Sequence, residues 1–303
     1  MNKVIVVVGP TGVGKTKMGV ELAKKLNGEV ISGDSMQIYK LMDIGTAKVT
    51  LEEMDGIVHH CIDILEPTDN YSVKDFQETV REKINDITAR GKLPIIVGGT
   101  GLYIKATLYD YEFSETDDNH DMYREKYKDY NNNELYNHLK LIDEASALEL
   151  HPNNRQRVLR AIEIYEETGQ KKSDILSSQE HICLYDTYFV GLTIDREILY
   201  QRIDQRVDIM MDNDLEKEVT DLYHQGLLPT HQSMKAIGYK EWFDYFDHKI
   251  SKEEVSDSIK KHSRQYAKRQ YTWFKNQFDV HWYDVNLDHF DETVSQVLKD
   301  ICV

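Results

Sequence analysis

The sequence predicts a parallel α/β sheet flanked by helices, with an all-helical domain inserted into it, and three observations carry that prediction. A glycine-rich turn of the form G-x-x-x-x-G-K-T joins an apolar run to a helical pattern near the start. Strand and helix signals then alternate, as they do when strands are joined by crossover helices. A polar, helix-periodic stretch finally separates the early strand signals from a later one.

Residues 4–8 are an unbroken β-branched run, VIVVV, suited to a strand buried on both faces. The turn GPTGVGKT follows: Gly9, Pro10, Thr11, Gly12, Val13, Gly14, Lys15 and Thr16. Its glycines let successive N–H groups face one concavity at the positive end of a helix that begins near Lys15 and runs to Leu26. Lys15 supplies a point charge for a terminal phosphate, and the Thr16 hydroxyl is placed to hold Mg²⁺. A P-loop NTPase-like sheet is therefore expected. The loop alone leaves open whether it binds an NTP to be hydrolysed, a phosphoryl donor or another diphosphate.

Residues 29–33 read as a second strand ending at Asp34, and residues 58–64 as a third. A helix is expected over 73–90, stopped by Gly91, and a further buried strand over 93–97 opens into Gly98-Gly99-Thr100-Gly101 and another helix. From 113 to 182 the chain turns polar and rich in Asn, Asp and Tyr, with helices expected over 131–150 and 154–168. A strand returns at 188–194, and Asp195 starts a long charged helix. Three segments result: an α/β core over 1–112, a helical insertion over 113–182, and the rest of the core over 183–303.

Composition narrows the function classes. No stretch approaches the ~18 apolar residues of a membrane span, and the first apolar run is too short for a signal peptide. Cys61, Cys183 and Cys302 are odd in number and scattered, so reduced thiols and a cytoplasmic protein are expected; a monomer is expected as well. A net charge of −16 argues by itself against a nucleic-acid partner.

Local clusters answer that objection, because binding responds to local potential. Residues 260–275 are densely basic with interleaved aromatics, and Arg264 and Lys268 share a helical face; Arg157 and Arg160 align in the run RQRVLR. Either cluster also suits an ordinary solvated surface. Asp34 suits a carboxylate facing an acceptor and equally a turn residue. The strand at 93–97 ends in glycines where an NTPase commonly places an acidic group, although Asp63 could fill that role. Arg202 and Arg206, one turn apart, could cover phosphates or face water. His59, His60 and Cys61 look like a metal cluster, but adjacent residues on a strand face opposite ways, which argues against one. A small-molecule kinase and a nucleotide-dependent RNA-binding module remain open from the residues alone.

An ordered set of motifs, GPTGVGKT, DSMQIYKLMDIGTAK, HHCIDI, YSVKDF, PIIVGGTGLY, HPNNRQRVLRAIEIY, KAIGYKEW and QYAKRQYTWFK, resembles the bacterial tRNA dimethylallyltransferases over nearly the whole chain. Transfer of a dimethylallyl group from dimethylallyl diphosphate to N6 of adenosine 37, in tRNAs reading codons that begin with U, is what the resemblance implies. It makes the loop a diphosphate site with Mg²⁺ near Thr16, Asp34 the base for the amine proton, Thr100 part of the reaction channel and Arg206 the diphosphate arginine. Ser35, Met36 and Gln37 would contact the flipped adenine. Arg124, Gln156, Arg157, Val158, Leu159 and Arg160 match the tRNA-contacting segment. Lys40 and Tyr266 depart from the family pattern and are expected to lie outside the reacting groups.

Overall fold

The computed structural model describes residues 1–111, 113, 120–178 and 180–301. Six parallel strands, β1 (Lys3–Val8), β2 (Gly28–Ser32), β3 (His59–His60), β4 (Leu93–Val97), β5 (Asp186–Thr193) and β6 (His281–Asp284), form one sheet in the order β3-β2-β4-β1-β5-β6. The central strand β1 pairs Ile5 with Ile95 on one side and Val6 with Phe189 on the other. Its Val4 to Val8 are wholly buried, as expected of a strand covered on both faces.

The helices follow from the sequence signals around them. α1 (Lys15–Leu26) leaves the glycine turn, α2 (Leu51–Met54) is capped by Thr50, and α3 (Val73–Ala89) starts from a Ser72–Asp75 capping box. α4 (Gly101–Leu108) leads to a separate compact unit, Tyr109–Ile182, built from α5 (His120–Lys126), α6 (Asn132–Ile142), α7 (Glu144–Glu149), α8 (Arg155–Thr168) and α9 (Lys172–Ser178). The other unit, Met1–Leu108 with Cys183–Val303, carries the sheet. Its later helices are α10 (Arg196–Asp212), α11 (Leu215–His224), α12 (Phe243–Phe246), α13 (Lys252–Gln277) and α14 (Phe290–Ile301).

Two expectations need correction. The strand expected over 58–64 is only two residues long, because Cys61 and Asp63 adopt positive φ of 61° and 53° and turn the chain out of the sheet. The helix expected over 131–150 is two helices. Asp143 breaks it: its carboxylate accepts the Ser146 N–H at 3.0 Å, capping α7, and also the Ser173 N–H at 3.0 Å. Among the described residues no helix is long and apolar enough to cross a membrane. Cys61 and Cys183 are free thiols, and Cys302 lies outside the described residues.

Candidate active site

The carboxyl ends of β1 and β2 meet a cleft of about 340 Å³, where open α/β sheets bind ligands. Thr11, Asp34, Arg206 and Tyr266 are among its walls. Two close approaches shape it. Gly9 has φ 144°, and a Cβ there would lie 2.6 Å from the Leu192 carbonyl oxygen, so the turn must begin with glycine. At the end of β4 a Cβ on Gly98 would lie 2.2 Å from the Gly33 oxygen. Glycine at 98 therefore lets the two strand ends meet and brings Asp34 close to Thr100.

At the phosphate-loop end, the Lys15 ammonium donates to the Pro10 carbonyl at 2.8 Å. Burial, then the charge of Arg206, push its pKa down to about 7, against a smaller upward pull from Asp34. Arg206 donates to the Thr11 hydroxyl at 3.0 Å and to the Ala47 carbonyl at 3.4 Å, and burial lowers its pKa despite Asp34. Arg202 donates to the Gly12 carbonyl at 2.9 Å, so both arginines reach the loop, but only Arg206 lines the cleft. The Thr16 hydroxyl sits at the exposed start of α1.

At the other end, Asp34 Oδ1 accepts the N–H of Met36 at 2.8 Å and of Gln37 at 3.4 Å. One oxygen of Asp34 thus fixes the turn while the residue also lines the cleft. The Thr100 hydroxyl accepts the Ser35 N–H at 3.2 Å. Gln37 is held by a bond from the Ser32 hydroxyl at 3.2 Å.

Sequence reasoning set Tyr266 aside, and the structure places it in the cleft wall. Its hydroxyl donates to the Gly99 carbonyl at 3.3 Å, and burial first, then Asp34, push its pKa up to about 12. One turn along α13, the buried Gln270 accepts the Thr11 N–H at 2.9 Å and donates to the Gly99 carbonyl at 3.1 Å, tying the phosphate loop to the glycine loop after β4. This explains the glycine run: a Cβ on Gly99 would lie 2.0 Å from the Gln270 amide nitrogen. These residues are some 260 positions apart in sequence, and no local pattern links them.

Other expectations are also revised. Arg264 is ion-paired with Asp204 of α10, and Lys260 with Asp208 at 2.5 Å, so part of the basic helix is neutralised by packing. Asp63 pairs with Lys48 and does not line the cleft. In the helical unit Gln156 and Arg157 are exposed, while Val158 and Leu159 belong to its apolar core with Leu135 and Leu139. Val158 and Leu159, with Ala161 and Ile162 a turn further on, form the buried side of α8. Arg160 donates to Glu163 at 3.3 Å, and Arg124 lies exposed on α5. Among the described residues no cluster of His, Cys, Asp and Glu could hold a metal.

A glycine-rich loop between a buried parallel strand and a helix, with a lysine and an arginine directed to it, defines a P-loop-type α/β protein. The chain belongs to the IPP transferase family, whose family model matches residues 37–277. It is 55% identical over 305 aligned residues to a tRNA dimethylallyltransferase of Bacillus cereus (strain AH187), covering 99% of this chain and 94% of that relative. Its fold is similar to the crystal structure of a tRNA isopentenylpyrophosphate transferase from Staphylococcus epidermidis, at 48% identity and TM-score 0.72, with 99% and 100% of the two chains covered. A eukaryotic dimethylallyltransferase acting on tRNA, 34% identical, aligns with TM-score 0.85 over 98% of this chain and 78% of its own.

Proposed function

We propose that this protein transfers the dimethylallyl group of dimethylallyl diphosphate to N6 of adenosine 37 in tRNAs that read codons beginning with U, releasing diphosphate. The observation that supports this best is the single cleft lined by both the phosphate-loop Thr11 with Arg206 and the Asp34 to Met36 turn. A leaving group and an acceptor can meet there without a phosphoryl transfer.

As the allylic C–O bond breaks, negative charge grows on the diphosphate. The loop N–H groups, Lys15 and Arg206 sit where that charge develops. Apolar side chains in the same walls, Ile203, Val207 and Met210, suit the prenyl tail. The exocyclic amine attacks the allylic carbon, and Asp34 accepts its proton, with Thr100 and Tyr266 bordering the path. Ser35, Met36 and Gln37 face the flipped base, whose departure from the stack costs roughly a few kcal/mol. Contacts from Arg124, Gln156, Arg157 and Arg160 to the tRNA would offset that cost. Thr16, at the start of α1, offers a hydroxyl that would help hold Mg²⁺. That ion would neutralise leaving-group charge when bound. We place the protein, as a monomer, in the cytoplasm.

The test is to incubate purified protein with dimethylallyl diphosphate, Mg²⁺ and an unmodified tRNA transcript, then map any adduct by nuclease digestion and mass spectrometry. A prenyl group confined to adenosine 37 is expected. An adduct elsewhere, or none, overturns the assignment.

A further inference from the structure

Residues 45–47 form one wall of the cleft, and their backbone is held from behind by one carboxylate. Glu218, on α11, accepts the N–H of Asp43 at 2.9 Å and of Ile44 at 2.8 Å through one oxygen, and that of Gly45 at 3.1 Å through the other. The hydroxyl of the fully buried Tyr239 donates to the same carboxylate at 2.6 Å. Burial, and then the charge of Glu218, hold that phenol well above its ordinary pKa, so it stays a donor. The Tyr239 ring also presses on the loop: a Cβ on Gly45 would lie 2.5 Å from it. From the other side Lys48 donates to the Tyr39 carbonyl at 2.8 Å and pairs with Asp43 and Asp63.

The far end of this braced loop meets the reacting groups. The Ala47 carbonyl accepts from Arg206 at 3.4 Å and from the Gln37 amide at 3.3 Å. One carbonyl therefore touches both the arginine at the diphosphate end and a residue at the acceptor end. Glu218 itself does not line the cleft.

We propose that Glu218 is a positioning residue, which fixes the backbone of residues 43–45 and through it aims Arg206 at the leaving diphosphate. This inference rests on the reading of the cleft as a diphosphate site. The chemistry favours a carboxylate at 218, because it meets four donors with acceptor oxygens only, whereas an amide would turn its own N–H groups toward some of them. An arginine already held in its binding geometry loses less side-chain freedom when an anion arrives.

Inorganic pyrophosphate is the probe, titrated calorimetrically into the parent, Glu218→Gln, Arg206→Ala and the double variant. Glu218→Gln should weaken binding roughly tenfold when Arg206 is present and less than about twofold when it is absent, the coupling expected within one hydrogen-bond network. Purely structural damage would weaken binding to the same extent in both backgrounds, and that result overturns the proposal. Should Glu218→Gln fail to fold, as judged by thermal melting, Tyr239→Phe keeps the ring against Gly45 and removes one donor. A loss of a fewfold that depends on Arg206 supports the proposal, and one independent of Arg206 contradicts it. Failure of the parent to bind pyrophosphate would overturn the diphosphate reading and this inference with it.

Discussion

At the residue scale, the roles proposed for Asp34 and Lys15 each give a prediction. Asp34→Asn keeps an acceptor oxygen for the Met36 and Gln37 N–H groups, so the turn should survive. It cannot take a proton. Single-turnover transfer with both substrates saturating should slow by about 10² to 10⁴, while pyrophosphate affinity stays within a fewfold; a near-parental rate would reduce Asp34 to a turn residue. For Lys15, a bound diphosphate favours the charged ammonium and so raises a pKa that lies near 7 in the free protein. Above that pH the free protein must take up a proton to bind, and apparent affinity falls as pH rises until the bound-state pKa is passed. Calorimetry at about pH 8 in two buffers of different ionisation heat should show more proton uptake in the parent than in Lys15→Arg, whose side chain stays charged. Equal uptake would contradict the assignment. Lys15 and Thr16 stand out in the sequence because the glycine-loop spacing has a local mechanism, whereas Asp34 stands out only through the family resemblance. Gln270, Glu218 and Tyr266 do not, since each acts through chain brought close only by folding.

At the element scale, β1, β2, β4 and β5 lie where the apolar runs and glycine stops lie, whereas the edge strand β6, HWYD, carries no such run and was not expected. The failures have local causes. β3 is cut short by two left-handed residues without glycine, and the helix over 131–150 is split by an aspartate whose caps form only in three dimensions. The long basic helix α13 reads in the sequence as a nucleic-acid-contacting cluster or an ordinary solvated surface, yet it packs its Arg264 and Lys260 against acids of α10. A charge pattern shows a solvated face and an interhelical ion pair alike. The contact of the ends of β2 and β4 can be tested directly. Gly98→Ala sets a methyl group against the Gly33 backbone, which cannot swing aside as a side chain would. A loss of about 1–3 kcal/mol in urea unfolding is expected, with slower transfer because Asp34 moves with Gly33. Unchanged stability would mean that the strand ends can part freely.

At the scale of the whole molecule, an acidic chain of net charge −16 is assigned a polyanionic partner, and the account holds only if local cations carry the contact. Arg157 is exposed on α8 within the helical unit. Arg157→Gln should weaken tRNA binding and lower the slope of log affinity against log salt by about 0.7 to 0.9 if it meets one phosphate. An unaltered slope would leave it an ordinary surface residue. In the proposed reaction the phosphate loop holds a leaving group and supplies no phosphoryl chemistry. The most direct measurement of this is one reaction containing dimethylallyl diphosphate, tRNA, Mg²⁺ and ATP, in which diphosphate release, phosphate release and prenyl adducts are counted together. Diphosphate should appear one-to-one with prenylated tRNA, stop when tRNA is omitted, and be unaccompanied by phosphate from ATP. Sustained phosphate release from ATP at kinase-like rates of roughly 1 s⁻¹ or more, without matching adducts, would contradict it.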